Sequence, residues 1–217
     1  MKIFLDSTNI EEIREINKLG IIDGITTNPS LIAKSGKGFN QILKSICKEV
    51  KGPISAEVTA ENFENMLSEA KILSKISKNI VIKLPLTFNG LKACKHLTKK
   101  NYKTNVTLCF TVPQAILAAK AGATYISPFI GRLDDIGQNG VNLIRDIKKV
   151  FSNYTNFKTK ILAASIRSIE HVAEVSKAGA DISTIPTKIF HQLYKHELTD
   201  KGLKIFLEDW EKSKQKI

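Results

Sequence analysis

Eight short apolar runs, each followed by a longer helical or loop stretch, predict a (β/α)8 barrel for this 217-residue chain, an α/β fold. An open, doubly wound sheet is the alternative. Two further observations agree. The runs have the β-branched or aromatic content of strands buried on both faces. No Pro/Ser-rich linker or low-complexity stretch divides the chain, so residues 1–217 read as one domain large enough to bury a core.

The runs fall at residues 3–5, 24–27, 54–58, 80–85, 105–110, 125–129, 160–164 and 182–186. After the first, Thr8-Asn9-Ile10-Glu11 reads as a capping box, and Ile10, Ile13, Ile16 and Leu19 continue on one helical face to Gly20. Residues 61–76 repeat Phe63, Met66, Leu67, Ala70 and Leu73 at three- and four-residue steps. Thr111, Pro113 and Gln114 form a second capping signature. Two similar segments, at 120–128 and 177–183, each read as a helix end, a Gly turn and the start of a strand. A last helix is predicted at about 200–216. It carries Leu203, Phe206, Leu207 and Trp210 on one stripe that would cover the barrel or reach a neighbouring subunit.

Composition excludes several classes. No run of eighteen or more apolar residues appears, so no membrane span is predicted. Met1-Lys2-Ile3-Phe4-Leu5-Asp6 meets an acid too early for a signal peptide. Cys47, Cys94 and Cys109 are odd in number and unpaired in spacing, which fits free thiols in a reducing cytoplasm. The net charge of +12 raises nucleic-acid binding as a remote alternative. Against it, the excess is nearly all lysine spread along the chain, with four arginines, no basic tail and no basic stripe interleaved with aromatics. Such a surface also draws anionic substrates.

A barrel keeps its chemistry at the C-terminal ends of its strands, and polar residues gather there. Asp6 closes the first run, Thr26, Thr27 and Asn28 the second, and Glu57 the third. Lys83 lies inside Val81-Ile82-Lys83-Leu84-Pro85, Asn105 and Thr107 lie on the fifth run, Ser127 and Arg132 at or after the sixth, and Ser165 and Arg167 after the seventh. An amine in such apolar company is costly unless it has work to do. Burial disfavours a charged ammonium, and a neutral amine is what condenses with a ketone. The alternative is an ammonium that reaches solvent or pairs with Asp6 or Glu57. Asp6 equally suits a helix cap, and Glu57 a structural partner for Lys83. Arg132 and Arg167 suit a phosphate through their planar forks, or surface ion pairs. Ser127 and Thr107 equally suit inert barrel layers. No His/Cys/Asp cluster has metal-ligand spacing, the four histidines fall in predicted helices away from strand ends, and no Walker, G-x-S-x-G or G-x-G-x-x-G motif occurs. No cofactor or metal is implied.

Taken in order, Leu5-Asp6-Ser7, Gly24-Ile25-Thr26-Thr27-Asn28-Pro29-Ser30, Ile82-Lys83-Leu84-Pro85, Asn105-Val106-Thr107, Ser127-Pro128-Phe129 with Gly131-Arg132, and Ala164-Ser165-Ile166-Arg167 resemble the transaldolase family. The short chain is similar to the small subfamily that also holds fructose-6-phosphate aldolases. The resemblance implies a class I enzyme of the pentose phosphate pathway acting on sugar phosphates without a cofactor. It implies Lys83 as the Schiff-base lysine, Asp6 as the acid/base of carbon–carbon cleavage, and Glu57 and Thr107 as the pair that handles a water during dehydration. Asn28, Asn105 and Ser127, with Thr26 nearby, would hold the dihydroxyacetone unit, and Arg132, Ser165 and Arg167 the phosphate. Family aldolases tend to carry Gln and Tyr where this chain has Glu57 and Phe129, so those two residues and Ser127 favour transaldolase. A homo-oligomer, pentamer or decamer, is also implied.

Overall fold

The computed structural model describes residues 1–36 and 38–216; the final position of the predicted 1–217 domain lies outside the described residues. Its strands are β1 (Lys2–Asp6), β2 (Gly24–Thr26), β3 (Ile54–Glu57), β4 (Ile80–Pro85), β5 (Thr104–Cys109), β6 (Tyr125–Pro128), β7 (Lys160–Ala163) and β8 (Ile182–Pro186). They pair in sequence order and close, β8 lying parallel to β1, so the chain is a (β/α)8 barrel and not an open sheet. The helices are α1 (Ile10–Asn17), α2 (Pro29–Lys34), α3 (Phe39–Glu49), α4 (Phe63–Ser74), α5 (Phe88–Lys99), α6 (Val112–Ala121), α7 (Ile130–Asp134), α8 (Gly140–Ser152), α9 (Ile169–Lys177), α10 (Thr187–Phe190) and α11 (Glu197–Ser213).

Most helix starts follow from short polar side chains that accept orphan backbone N–H groups. The Thr111/Gln114 capping box forms as its residues predict. The one read at Thr8 does not. Asn9 caps α1 instead, its side chain accepting from the amides of Glu11 and Glu12. The Thr8 hydroxyl donates instead to the Leu31 carbonyl, a tertiary partner that outcompeted the local box. The repeat at 120–128 and 177–183 appears as two left-handed turns, Gly122 at φ 89° and Gly179 at φ 88°, each reversing the chain from a helix toward the following strand.

Because parallel strands face helices outside and one another inside, their residues alternate between two cores. Outward residues such as Leu5, Ile25, Ile82 and Ile126 join Ile13, Ile46, Met66 and Ile144 of the helices in the large shell core. Inward residues Phe4, Val81, Tyr125, Leu162 and Ile182 form a separate cluster that fills the barrel floor.

Helix α11 begins three residues before the predicted start because the His196 side chain caps it through the Leu198 amide. No residue of α11 is buried, and Leu203, Phe206, Leu207 and Trp210 are exposed, so its apolar stripe does not cover the barrel.

Candidate active site

The site is the continuation of the barrel floor. Two residues beyond Phe4, Val81, Tyr125, Leu162 and Ile182 come Asp6, Lys83, Ser127, Ala164 and Thr184, four of them on the same strands and Ala164 just past β7, where it bridges to Phe129. A strand repeats its facing every second residue, so these five point into the barrel one layer nearer its mouth. All five line a cavity of about 220 Å³, joined by Thr26, Asn28, Phe129, Arg132, Ser165 and Arg167.

Register brings the reactive groups together. Glu57 of β3 stands beside Lys83 of β4, and Lys83 beside Asn105 of β5. Lys83 is 4% exposed. Its Nζ lies 2.8 Å from Glu57 Oε2 and donates to the Thr27 carbonyl at 3.0 Å. Asp6 is only partly exposed and accepts from the Thr26 hydroxyl at 2.8 Å; Thr26 also meets Thr184 at 2.6 Å. Lost hydration pushes the Asp6 carboxyl pKa up, aided by the Glu57 charge and opposed by the Lys83 charge and the Thr26 hydrogen bond. Since Asn9 and not Asp6 caps α1, the helix-cap alternative for Asp6 falls away.

Asn105 and Thr107 are fully buried behind the cavity wall. Asn105 donates to Ser55 Oγ at 3.1 Å and accepts from Ser127 Oγ at 2.7 Å, so it orients Ser127, which does reach the cavity. Among the described residues the Thr107 hydroxyl has no hydrogen-bond partner. A bulge follows it, with Leu108 at φ 62° between Thr107 and Cys109. Asn28 caps α2 through Leu31 N at 3.0 Å, which leaves its two amide N–H donors for the cavity it lines.

The other end of the cavity is cationic and open. Arg132 lies over the Phe129 ring, 5.0 Å from its centroid. Arg167, with its side chain 51% exposed, pairs with Asp135 at 2.7 Å. The backbone between them is tight. Gly131 N donates to the Ser165 carbonyl at 3.1 Å, and a Cβ on Gly131 would sit 2.3 Å from that oxygen. Ser165 adopts φ 61°, a conformation that costs a non-glycine residue on the order of 1–3 kcal/mol and recurs at functional sites.

The structure thus gathers Asp6, Thr26, Asn28, Lys83, Ser127, Phe129, Arg132, Ser165 and Arg167 around one mouth, holds Glu57 against Lys83 at its edge, and sets Asn105 and Thr107 behind it. Sequence reading missed Thr184, although the period of two from Ile182 points to it. It also placed His171 away from the strand ends. His171 is in the first turn of α9, where its Nδ1 accepts from Arg167 N at 3.3 Å and its Nε2 lies 3.1 Å from Asp134 Oδ2. Burial pushes the Cys109 thiol up to about 12, so that cysteine is no nucleophile.

Fold and site together define a (β/α)8 barrel with one sequestered amine paired to a carboxylate, a second carboxylate in the same cavity, and two arginines at its rim. A family model described as Transaldolase/Fructose-6-phosphate aldolase matches residues 3–217. A probable transaldolase of Bartonella tribocorum is 58% identical over 217 residues, covering 100% of both chains, and one of Brucella ovis is 56% identical with the same coverage. Among solved structures, a thiamine phosphate pyrophosphorylase from Pyrococcus furiosus superposes with a TM-score of 0.59 at 15% identity, over 88% of this chain and 93% of that one. At that identity the likeness concerns the barrel alone. The chain belongs to the transaldolase/fructose-6-phosphate aldolase family.

Proposed function

We propose that this protein is a transaldolase that moves a dihydroxyacetone unit from a ketose phosphate, sedoheptulose 7-phosphate or fructose 6-phosphate, to an aldose phosphate through an imine on Lys83. The observation that carries this reading is the 2.8 Å contact between Lys83 Nζ and Glu57 Oε2 at the edge of the cavity that Asp6 also lines. Glu57 takes the ammonium proton, and the freed amine adds to the ketose carbonyl. Glu57 then returns the proton to the carbinolamine hydroxyl, which leaves as water; the buried Thr107 hydroxyl steadies that exchange. The cationic imine draws in the electron pair of the breaking carbon–carbon bond as Asp6 accepts the sugar hydroxyl proton. The enamine so formed attacks the acceptor aldehyde, and Asp6 gives its proton back. A carboxyl with a raised pKa suits that two-way role.

In this reading Asn28, Ser127 and Thr26 hold the dihydroxyacetone hydroxyls, with Asn105 acting through Ser127. Arg132, Ser165 and Arg167 take the phosphate, for which two guanidinium forks are well shaped. No cofactor takes part. Borohydride reduction with fructose 6-phosphate should add a stable mass to Lys83 in the wild type and none in Lys83→Ala. An active wild-type enzyme without that adduct would refute the imine.

The aldolase activity of the same scaffold is the second reading, and Phe129 weighs against it. A tyrosine hydroxyl there would help protonate the enamine, whereas the Phe129 ring, packed on Phe110 and under Arg132, offers no proton. Free dihydroxyacetone forming as fast as transfer to erythrose 4-phosphate would favour the aldolase. We further propose that residues 1–217 act as one domain, in the reducing cytoplasm that three free cysteines suit. The exposed stripe of α11 supports a homo-oligomer, a pentamer or decamer, and a monomer by light scattering would overturn it.

A further inference from the structure

Resting on the imine reading above, we propose that the water released and consumed at Lys83 passes through a groove on the far side of Glu57, not through the sugar mouth. Lys83 lines the mouth cavity, whereas Glu57 does not. Glu57 lines a different groove, of about 370 Å³, with Phe39, Asn40, Thr59, Glu69, Ile72 and Leu73. The two side chains differ accordingly: 5% of the Lys83 side chain and 13% of the Glu57 side chain is exposed. The buried ion pair is therefore a partition, with the amine facing substrate and the carboxylate facing the groove. The groove lies between the start of α3 and one face of α4. Its rim is fixed by Glu69, whose carboxylate accepts from Thr59 N at 2.7 Å, Thr59 Oγ1 at 3.1 Å and Ala60 N at 3.2 Å.

The chemistry needs such a passage. An ammonium and a ketone become a protonated imine and one water; the C–O bond breaks, the C=N bond forms, and no proton is left over. Only water has to move. It forms where Lys83 meets Glu57, while a ketose whose phosphate is held by Arg132 and Arg167 fills the space between that point and the mouth. Escape toward the mouth runs past the whole sugar. Escape past Glu57 runs into a groove whose Asn40, Thr59 and Glu69 give water polar partners. The same path delivers the water that hydrolyses the final imine.

The test uses the full-length enzyme carrying Asp6→Asn, which in the proposed mechanism stops after imine formation and keeps the intact ketose in the mouth. With fructose 6-phosphate in heavy-oxygen water, label entering the ketose carbonyl reports exchange of the released water with solvent. Borohydride trapping reports how much imine forms. Asn40→Trp and Ile72→Trp each add bulk at exposed positions on the groove, away from the cavity. The expected result is an unchanged level of Lys83 adduct with label incorporation slowed roughly tenfold or more, a rate loss typical of a modest added barrier. Equal incorporation at equal adduct would overturn the passage and leave the imine standing. Absence of adduct in both the Asp6→Asn parent and the wild type would remove the imine reading and the passage with it.

Discussion

The two ends of the cavity use charge in opposite ways. At the amine end, Lys83 and Glu57 meet at 2.8 Å with almost no solvent contact. At the arginine end, Arg167 and Asp135 meet at a nearly equal 2.7 Å, but both side chains are about half exposed, 51% and 52%. The distances alone would rank the pairs alike. Solvent separates them: withdrawing two ions from water costs several kcal/mol each before their attraction is counted, whereas an exposed pair is held by about 0–1 kcal/mol. The buried pair is thus a fixed device that tolerates no missing partner. In the proposed function the exposed pair is a place-holder that an incoming phosphate displaces.

Substitutions at the two ends should separate them, and the largest effect belongs to the amine. Lys83→Ala should abolish borohydride trapping and lower turnover by at least about 10⁴-fold. It also strands the Glu57 carboxylate, so a fall in Tm is expected that adding Glu57→Gln would reverse.

Next comes Asp6→Asn, which should lower kcat by roughly 10²- to 10⁴-fold. Its effect on stability runs the other way. The Asp6 pKa is raised on folding, so the native state holds that proton more tightly than the unfolded chain does. The carboxyl therefore costs stability once pH passes the ordinary aspartate range, and the cost grows until pH passes the folded value. Near neutral pH, Asp6→Asn should melt no lower than wild type, and about 2–4 °C higher for each kcal/mol relieved. The gain should vanish at acid pH. A variant that melts lower at neutral pH would show that the Thr26 hydrogen bond outweighs the burial.

The arginine end should respond in affinity more than in rate. Arg167→Ala should raise KM for phosphorylated donors by about 10- to 100-fold, the value of one or two charge-assisted hydrogen bonds, and leave unphosphorylated dihydroxyacetone nearly unaffected. Asp135→Asn should do the reverse on a smaller scale. Freed from its place-holder, Arg167 should bind inorganic phosphate tighter by about two- to fivefold. Weaker phosphate binding in that variant would assign Asp135 a positioning role.

Much of this contrast was legible in the amino-acid sequence, and the parts that were not share a cause. The strands stood out because both their faces are buried, giving apolar runs such as 80–85 that polar Lys83 interrupts. Asp6 and Arg167 were visible as polar residues just after the ends of such runs, and Lys83 as the polar residue inside one. Pairing was visible only as an alternative, with Asp6 and Glu57 both offered as partners for Lys83. Glu57 and Lys83 become partners only through the register of β3 on β4, and Arg167 finds Asp135 across the loops after β6 and β7. Thr184 hid because Ser183 and Thr184 together blur the inward period that Ile182 starts. The cap of α1 was misplaced by one residue because Thr8 and Asn9 are both good caps, and Leu31 decided between them. That Glu57 looks onto a second groove depends on where α3 and α4 pack, which no local pattern encodes.

The central claim is that Glu57 serves the Lys83 amine directly as its proton partner. The rate at which the borohydride-trapped adduct forms on Lys83 with fructose 6-phosphate, compared between the wild type and Glu57→Gln, tests it without depending on any later step. Glutamine keeps the size and a hydrogen bond but cannot carry the proton, so the rate should fall by about 10²-fold or more. An adduct that forms on Glu57→Gln as fast as on the wild type would contradict the claim.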